Sequence, residues 1–554
     1  MKKAALLIIL LCCVFSVIAA EQPVMRIGVV TDTHVTEKTG TLIPLRAAYK
    51  LFRDNKVDLI INAGDIADVY NVNAYKLYRK TVNEVYDGTK MPQEIFAYAN
   101  HDRIRRGKES VWEVFKDVKK HLGIPNEPHD FVVVKGYPFV VVPQYADFGI
   151  YKKLLERAVR EFPGKPVFVV DHIPPSKTIY KSRMRADARY DLLCKFPQAV
   201  VFCGHIHNTL LNERAIWQGA FTAVNAGCLQ VWRPMLIGTQ TVPIRSDMAL
   251  VVELYKDKAV LRRFDVMKQT EVKKTTPWTI PFPHDPNNAP YSIARRKKES
   301  SAPEFAAGSK ISVSVGKEQV SVAFPRTVHP DGALFYKVEL CCMDNGKWSR
   351  TSFQNAVGDF MLSKEERSIN ALFTFSIGYF DAGRKYRVTI VPVHFFGKEG
   401  KPLSAEFTVD KVPAGTVVFE SRDPMKEMPF KSGLSGGSQF KISDDGFYIH
   451  NRHEGRLIFP DETWKAPPKT RFRVTADIHM KQSKGRWTMV MRNPFPLRNV
   501  TDRLYTCTGD SGVQRYVFEF TKSKPEHKYY LLIREGGVGK IKFNYIKVER
   551  IGTK

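Results

Sequence analysis

The sequence predicts an α/β layered domain in the N-terminal half of the chain and all-β domains in the C-terminal half. From Met25 to about Phe264, short runs rich in β-branched residues alternate with stretches of helical periodicity. Several of these runs are apolar without alternation, which is typical of strands in a sheet covered on both faces. After residue 303, the runs alternate apolar and polar residues between Gly, Asp and Asn turns, which indicates β-sandwiches.

The elements of the first domain can be named in order. The strand candidates are VMRIGVVT, DLIINAG, EIFAYA, FVVV, FVVVPQY, PVFVVD and AVVFCG. The helix candidates include LIPLRAAYKLFRDN, VWEVFKDVKKHL and YKKLLERAVREF, whose apolar residues recur at helical spacing. Strands and helices that follow one another in this way favour the layered α/β class.

Residues 1–20 have the layout of a secretory signal peptide. Two lysines precede an apolar stretch that ends in small residues, so we expect cleavage after Ala19 or Ala20. The apolar stretch is short for a bilayer span, which needs about 20 residues. The sequence therefore predicts a secreted or periplasmic protein, with an uncleaved membrane anchor as the less favoured alternative.

The remainder divides into four segments by composition. Residues 21–267 form the α/β domain, and residues 268–303 form a linker or strap rich in proline and charge. In residues 304–411, the stretch YRVTIVPVHFFGKEGKPLSAEF resembles the late strands of a fibronectin type III domain. In residues 412–554, the closing GVGKIKFNYIKVERI resembles the last strand of galactose-binding-like jelly rolls, which implies a carbohydrate or cell-surface ligand as an expectation.

The charge distribution and the cysteine spacing argue against a nucleic-acid-binding protein and a zinc-knuckle protein. The 85 Lys and Arg residues against 57 Asp and Glu give a net charge of +28, which invites a nucleic-acid partner. The excess is spread over both halves, and no basic stripe interleaved with aromatic residues is visible, so we interpret the charge as solubility and attraction to polyanions. The cysteines have neither a CxxC pair nor the spacing of a zinc knuckle.

Five polar motifs in the α/β domain each follow a predicted strand directly. They are Asp32-Thr33-His34, Gly64-Asp65, Asn100-His101-Asp102, His172 and Gly204-His205-Ile206-His207. Each alone is commonplace at the end of a strand. Because the carboxyl ends of strands in α/β sheets form one crevice, all five can converge there. Imidazole nitrogens with carboxylate and amide oxygens are ligands that suit Zn, Mn or Fe, so the set predicts a metal site.

In this order, the motifs resemble those of the calcineurin-like metallophosphoesterase superfamily over roughly residues 25–265. The resemblance implies a four-layer α/β/β/α sandwich and the hydrolysis of a phosphate monoester or diester. Within the superfamily, DTH, VVDHIPP and CGHIH look closest to the branch that contains class III cyclic-nucleotide phosphodiesterases and glycerophosphodiesterases.

The resemblance also implies roles for individual residues. Two divalent or trivalent ions (Mn, Zn or Fe) would share Asp65 and hold an attacking hydroxide between them. His101 would protonate or stabilise the leaving oxygen, and Asp102 would orient its ring. Superfamily members usually have Gly before the Asn-His pair, whereas this chain has Ala99. The implied ligands are Asp32, His34, Asp65 and His207 for one ion, and Asp65, Asn100, His172 and His205 for the other.

Arg-rich stretches flank two of the motifs. They include Arg103 after Asn100-His101-Asp102 and Arg183 after HIPPS, and a guanidinium there would suit a second phosphate oxygen. The ordinary alternative is a solvated loop and helix face.

Three functions remain open from the sequence. The favoured one is an exported dinuclear-metal phosphoesterase, because all seven implied ligands and His101 are present. The alternatives are a carbohydrate- or surface-binding protein with an inactive metallophosphoesterase-like domain, and a secreted nuclease.

Overall fold

The structure is a computed structural model, and it divides the chain into two compact units. The first comprises Met1–Val231 and Ser246–Ser292, and the second comprises Trp232–Arg245 and Ile293–Lys554. The predicted signal peptide, residues 1–20, lies outside the described residues. In the described part of the chain, no helix is long and apolar enough to cross a membrane. The described residues are 21–104, 109–180, 182–183, 187–230, 235–237, 240–242, 247–412, 414–428, 430–432, 441–443, 446–450, 454–484, 487–493, 498–499, 504–506, 510–524, 527–535 and 538–553.

In its described residues, the first unit contains two β-sheets and five α-helices. Its helices are α1 (Leu42–Asp54), α2 (Val72–Val85), α3 (Val111–Leu122), α4 (Phe148–Glu161) and α5 (Ala188–Leu193). Its first nine strands are β1 (Met25–Val30), β2 (Leu59–Asn62), β3 (Gln93–Phe96), β4 (Asp130–Val134), β5 (Tyr137–Val142), β6 (Val167–Asp171), β7 (Ala199–Cys203), β8 (Ile216–Gln218) and β9 (Thr222–Asn225). The hairpin of β10 (Met235–Ile237) and β11 (Gln240–Val242) belongs to the second unit. The first unit resumes with β12 (Met248–Leu254), β13 (Lys258–Asp265), β14 (Thr270–Val272) and β15 (Trp278–Pro281).

The two sheets of this unit pack face to face between two layers of helices. One sheet has the order β14-β13-β12-β1-β2-β3 with β15 beside β13, and the other has the order β4-β5-β6-β7-β9-β8. An apolar core that includes Ile27, Val29, Phe168 and Phe202 joins the sheets. A second core packs α1, α2 and α3 on the first sheet, and α4 contacts the second sheet. The predicted four-layer α/β/β/α class is confirmed.

The helices begin where a polar side chain satisfies the free backbone N–H groups of the first turn. Asn71 accepts hydrogen bonds at the start of α2, Ser110 at the start of α3, and Asp147 at the start of α4. Gly123, in the left-handed conformation with φ of 64°, ends α3. The predicted helix VWEVFKDVKKHL therefore begins and ends as the sequence indicates.

The segment 268–303 is structured in its first part. Strands β14 and β15 both pair with β13, so the sheet of the first unit extends to Pro281. Trp278 and Ile280 alternate with polar neighbours and are buried in the core between the sheets. The prolines around them conceal this alternation in the sequence, and α6 (Ile293–Glu299) follows in the second unit.

After the hairpin β10–β11 and α6, the second unit continues with a β-sandwich of three and four strands. Its sheets have the orders β16-β17-β20 and β19-β18-β21-β22, around a core that includes Val322, Tyr336 and Val388. The hydroxyl of Tyr386 accepts a hydrogen bond of 2.7 Å from the backbone N–H of Asp381, as in the tyrosine corner of Greek-key sandwiches. The elements are β16 (Ser312–Val315), β17 (Gln319–Phe324), β18 (Phe335–Asp344), β19 (Lys347–Val357), α7 (Lys364–Arg367), β20 (Ala371–Ser376), β21 (Arg384–Val393) and β22 (Leu403–Val409).

A larger β-sandwich completes the unit, with sheets of order β25-β26-β34-β28-β32 (β23 beside β34) and β24-β27-β33-β29-β30 (β31 beside β29). Its core includes Trp464, Phe472 and Phe543. The predicted all-β class of the C-terminal half is confirmed, while its two family resemblances and the domain boundaries stay predictions. The elements are β23 (Thr416–Ser421), α8 (Pro424–Glu427), β24 (Phe430–Ser432), β25 (Lys441–Ser443), β26 (Gly446–His450), β27 (Glu454–Ile458), β28 (Thr470–Lys484), β29 (Trp487–Asn493), β30 (Arg498–Asn499), β31 (Leu504–Thr506), β32 (Val513–Thr521), β33 (Tyr530–Glu535) and β34 (Val538–Thr553).

Candidate metal centre

The five polar motifs converge at the carboxyl ends of β1, β2, β3, β6 and β7. The first three strands belong to one sheet and the last two to the other, so the motifs meet where the two sheets end together. Most of the side chains are buried, but that of His205 is exposed. The centre is therefore open to solvent on the His205 side.

The first group of donors consists of Asp32, His34, Asp65 and His207. One donor atom from each lies within 4.8 Å of the others. Oδ1 of Asp32 is 3.1 Å from Nε2 of His207 and 3.7 Å from Nε2 of His34, while Oδ2 of Asp65 is 3.9 Å from Nε2 of His34. Ligands bonded at about 2.1 Å to one tetrahedral ion stand roughly 3.4 Å apart, so these spacings suit a shared ion.

The second group consists of Asp65, His172 and His205. Asn100 directly precedes His101, whose backbone N–H donates to Oδ1 of Asp65 at 2.9 Å. Donor atoms of the three titratable side chains again lie within 4.8 Å of one another. Nδ1 of His172 lies 2.9 Å from the carbonyl oxygen of Ala63 and donates to it, which leaves Nε2 as the electron-pair donor, 3.1 Å from Oδ2 of Asp65. Asp65 thus belongs to both groups, as a bridging carboxylate must.

Two buried atoms of the centre test whether a cation fits. Within the described ranges, Oδ1 of Asn100 and Nε2 of His172 have no hydrogen-bond partner. A buried polar atom left unsatisfied costs about 1–3 kcal/mol, and native structures rarely leave one without a water or ion. Because Oδ1 of Asn100 is an electron-pair donor and Nε2 of His172 borders the Asp65 carboxylate at 3.1 Å, the residues present fit a divalent metal.

The charges of the centre are mutually dependent. Burial raises the pKa of Asp32, but His207 and His34 outweigh this effect and hold it well below its usual range. Burial lowers the pKa of His172, but the carboxylate of Asp65 raises it to about 9. In the same way, Asp32 raises the pKa of His207 to about 11. The charged carboxylates of Asp32 and Asp65 are therefore stabilised by positive charge beside them, which a proton on a histidine or a metal ion can provide.

The backbone of the centre is strained at its ligands. Five of the seven candidates have positive φ: Asp32 (50°), His34 (40°), Asp65 (53°), His205 (71°) and His207 (46°). This left-handed conformation costs an L-residue about 1–2 kcal/mol, although Asp and His tolerate it better than most. Such strain persists only where the surrounding structure imposes it, and it clusters at functional sites.

Two glycines allow this geometry. A Cβ at Gly64, whose φ is 101°, would lie 2.8 Å from Nδ1 of His172. A Cβ at Gly204 would overlap Oγ1 of Thr31 and Oδ2 of Asp32. Ala99, which replaces the glycine usual in the superfamily, is not among the residues of positive φ in the described part of the chain. Ala99 therefore carries no strain of the left-handed kind.

A repeated Asn-Ala-Gly turn supports the centre from both sheets, and sequence reasoning missed it. Oδ1 of Asn62 accepts from the N–H of Gly64 at 3.1 Å, and Oδ1 of Asn225 accepts from the N–H of Gly227 at 3.2 Å. The amide of Asn225 also donates to the carbonyl of Gly204 at 3.1 Å. The two identical tripeptides after apolar strands were the signal that could have revealed these turns.

Asp102 has partners away from the His101 ring, and its predicted role in orienting that ring stays a prediction. The carboxylate of Asp102 accepts hydrogen bonds from the N–H groups of Ile66 and Ala67 and from the hydroxyl of Tyr75, so it supports the loop after β2. Burial and the neighbouring Asp65 raise the pKa of Asp102 to about 7.

Asp68 lies beside the His101 ring instead. Nδ1 of His101 is 3.4 Å from Oδ1 of Asp68 and contacts the Asp68 backbone carbonyl. The same carboxylate oxygen is 3.6 Å from Nδ1 of His34. No motif marked Asp68, because it stands alone in a loop three residues after Asp65.

The two arginines predicted to bind substrate occupy different settings. Arg103 is partly exposed at the end of the turn that carries His101, and its guanidinium lies 5.7 Å from the centre of the Tyr145 ring. Arg183 is exposed. Their substrate contacts stay predictions. Four neighbouring basic residues, Arg105, Arg106, Lys181 and Arg185, lie outside the described residues.

Arg189, from the second Arg-rich stretch, is buried and has a positioning role. Nε donates to Oδ2 of Asp171 at 2.5 Å, directly before His172. Nη2 donates to the backbone carbonyl of Gln144 at 3.2 Å, and the side chain of Gln144 accepts from the N–H of Asn100 at 2.8 Å. This chain of contacts links His172 to Asn100, and Gln144 was not foreseen from the sequence.

Comparison with known proteins finds a family whose matched range includes these residues. A family model described as calcineurin-like phosphoesterase matches residues 25–209, which include every candidate ligand and His101. The chain is 27% identical over 170 residues to a probable glycerophosphodiester phosphodiesterase, GpdQ, of Arcobacter nitrofigilis. That match covers 28% of this chain and 60% of the relative's length.

Two solved structures are similar at lower identity. A dimetal phosphatase from Danio rerio is 14% identical with a TM-score of 0.31, over 47% of this chain and 100% of that one. GAP50, described as the anchor in the inner membrane complex of Plasmodium, is 14% identical with a TM-score of 0.34, over 49% and 94%. TM-scores this low support no comparison of function.

Proposed function

Because residues 25–209 form a calcineurin-like phosphoesterase domain, we propose that the protein is a metal-dependent hydrolase of phosphate esters that uses two divalent ions. The observation that carries the proposal is the position of Asp65. Its carboxylate belongs both to the group of Asp32, His34 and His207 and to the group of His172 and His205. Oδ2 of Asp65 lies 3.9 Å from Nε2 of His34 and 3.1 Å from Nε2 of His172, so one carboxylate faces both groups and would be shared by two ions.

The chain's own residues would bind and orient the reacting groups. When bound, the ions would neutralise charge on the phosphate and lower the pKa of the attacking water. Asp32, His34, Asp65 and His207 would hold one ion, and Asp65, Asn100, His172 and His205 the other. The opening beside the exposed His205 would admit the ester.

His101 would act on the leaving group. Its Nδ1 is engaged with Asp68, so Nε2 is the nitrogen that can hold a proton for the departing oxygen. Because the His101 ring is buried and packs edge-on against His34 at 4.6 Å, it is kept beside the first group of ligands. General acid help of this kind contributes about 10² to 10⁴ in rate.

We further propose a phosphodiester substrate of the glycerophosphodiester class. Support comes from the named activity of the Arcobacter relative, whose match includes only part of each protein. Export through the predicted signal peptide is part of the same proposal. A carbohydrate or cell-surface ligand for the β-sandwiches, and action on nucleic acid, stay predictions.

The test is turnover before and after metal removal. We expect a chelator to abolish hydrolysis of bis(p-nitrophenyl) phosphate and of glycerophosphodiesters, and Mn, Zn or Fe to restore it. Turnover of p-nitrophenyl phosphate under the same conditions separates diester from monoester preference. Activity that resists the chelator would contradict the two-metal proposal, and bound ions without turnover of any ester would favour the inactive-domain alternative.

A further inference from the structure

A second cluster of metal-type donors lies in the second unit, in the β-sandwich of strands β16–β22. It consists of His329 and Asp331, from the loop between β17 and β18, and His394, from the loop between β21 and β22. One donor atom from each side chain lies within 4.8 Å of the others. His329 is 8% exposed and His394 is 2% exposed, so the cluster is closed except on the Asp331 side.

The spacing of the donors suits coordination rather than hydrogen bonding. Oδ2 of Asp331 is 3.8 Å from Nε2 of His394, which is too long for a hydrogen bond. The same separation occurs between donors of the N-terminal centre, where Asp32 and His34 are 3.7 Å apart and Asp65 and His34 are 3.9 Å apart. Two ligands of one ion bonded at about 2.1 Å stand roughly 3.4 Å apart, so small rotations of the side chains, without movement of the loops, would complete the geometry.

His394 supplies an independent observation. Both of its ring nitrogens are buried, and neither has a hydrogen-bond partner among the residues described. The rings of His329, Phe395 and Phe396 surround it at centroid distances of 4.9, 5.5 and 5.6 Å. In such apolar surroundings an unsatisfied imidazole costs about 1–3 kcal/mol, and a bound ion removes that cost.

His329 already has the tautomer that binding a metal through Nδ1 requires. Oγ of Ser301 lies 2.9 Å from Nε2 of His329, and the N–H of Asp331 donates to Nδ1 at 3.1 Å. Because Nδ1 accepts a hydrogen bond, the ring proton of the neutral form sits on Nε2 and points to Ser301. An ion at Nδ1 would displace the Asp331 N–H and keep the Ser301 contact, which orients the ring as supporting hydrogen bonds do in metal sites.

The loops that hold the three side chains are fixed without a metal. Asp359, which is fully buried, accepts from the N–H and hydroxyl of Thr327, from the N–H of Ala333 and from the hydroxyl of Tyr336. Nη1 of Arg367 donates to the carbonyl of His329 at 2.8 Å. The donors are therefore held in place before any ion arrives, which raises affinity because little order is lost on binding.

We propose that His329, Asp331 and His394 form a third metal site, separate from the phosphoesterase centre. Two imidazoles and one carboxylate in a mostly buried setting suit Zn²⁺, which takes four ligands, and water on the more exposed Asp331 side would be the fourth. The ion would tie the β17–β18 loop to the β21–β22 loop and so has a structural role. The proposal goes beyond the proposed function and does not depend on it.

The test counts zinc ions on the full-length protein after chelation, reloading and dialysis, by elemental analysis and calorimetric titration. We expect Asp331→Asn and His394→Gln each to bind one ion fewer than the wild type, or to bind it at least about 10- to 100-fold more weakly, the loss typical of damage to a metal site. Turnover of a nitrophenyl phosphodiester should equal that of the wild type in both variants.

The matched control is Asp510→Asn. Nε2 of His479 lies 2.8 Å from Oδ1 of Asp510 in the other sandwich of the same unit, so this substitution removes the carboxylate of a His–Asp pair that is not part of a cluster of three donors among the described side chains. Its zinc count should equal that of the wild type. Unchanged zinc binding by Asp331→Asn and His394→Gln, or equal loss in the control, would overturn the proposal. If the N-terminal centre binds no zinc, the wild type should bind one ion per chain and the Asp331→Asn and His394→Gln variants none. If His394→Gln fails to fold, the zinc count of Asp331→Asn, whose side chain is half-buried, tests the proposal alone.

Discussion

In the N-terminal centre, five of the seven candidate ligands have positive φ, whereas within the described chain none of His329, Asp331 and His394 does. The first set stands at five strand ends from two sheets, and the second stands on two loops of one sandwich. Left-handed backbone at Asp and His must be imposed by rigid surroundings, and strand ends provide them. The difference indicates that backbone strain is concentrated at the centre for which catalysis is proposed. The cluster of His329, Asp331 and His394, which lacks that strain, fits an ion with a structural role.

The largest expected effect concerns His101, which belongs to the strained centre but not to its ligands. His101→Ala should lower hydrolysis of an alkyl phosphodiester by about 10² to 10⁴, because a strongly basic alkoxide needs a proton to depart. Hydrolysis of a nitrophenyl ester, whose leaving group needs none, should fall far less. The measurement is turnover of both esters together with metal content.

Metal content should stay near normal in His101→Ala. Equal losses on the two esters with the metals retained would reject the role of proton donor, and loss of metal would make His101 a ligand.

A smaller expected effect concerns two glycines, one beside each metal cluster, whose replacement should weaken only the neighbouring cluster. A Cβ at Gly204 would overlap Oδ2 of Asp32, and a Cβ at Gly332 would press on Asp359 and Phe360 beside the second cluster. Overpacking of this kind costs about 1–3 kcal/mol. Gly204→Ala should therefore weaken metal binding at the N-terminal centre by roughly 10- to 100-fold and leave the third ion in place. Gly332→Ala should weaken binding of the third ion by a similar factor and leave the N-terminal centre unchanged.

Gly40→Ala is the control for both substitutions, because no atom lies within 4 Å of its added Cβ and its φ is not positive. It should change neither metal binding nor turnover. If Gly204→Ala and Gly332→Ala weaken all the ions equally, the two clusters are not independent.

The first centre could be predicted from the sequence because each of its motifs directly follows an apolar strand. Asp32, Asp65 and His172 lie one to three positions after the last residue of such a strand, and parallel strands bring their carboxyl ends to one edge. The layered α/β class follows from the same runs. What the sequence did not reveal is which neighbour touches which group: Asp68 lies beside the His101 ring, and Asp102 accepts a hydrogen bond from the loop after β2.

The cluster of His329, Asp331 and His394 could not be predicted from the sequence, and the reason is physical. His329 and His394 lie on different loops, and no strand pattern aligns those loops at the sequence level. Their proximity comes from the pairing of β18 with β21, which sets Phe335 opposite Val393. The strand Trp278–Pro281 was missed for a related reason, since prolines on either side concealed two buried positions.

The central claim is that Asp65 belongs to two metal sites at once, and the metal content of purified variants tests it most directly. The wild type should hold three zinc ions per chain, His34→Ala two, and Asp65→Asn one, the ion at His329, Asp331 and His394. Loss of both ions from one carboxylate-to-amide change is what a bridging ligand predicts. An Asp65→Asn variant that is folded and keeps as many ions as His34→Ala would contradict the account.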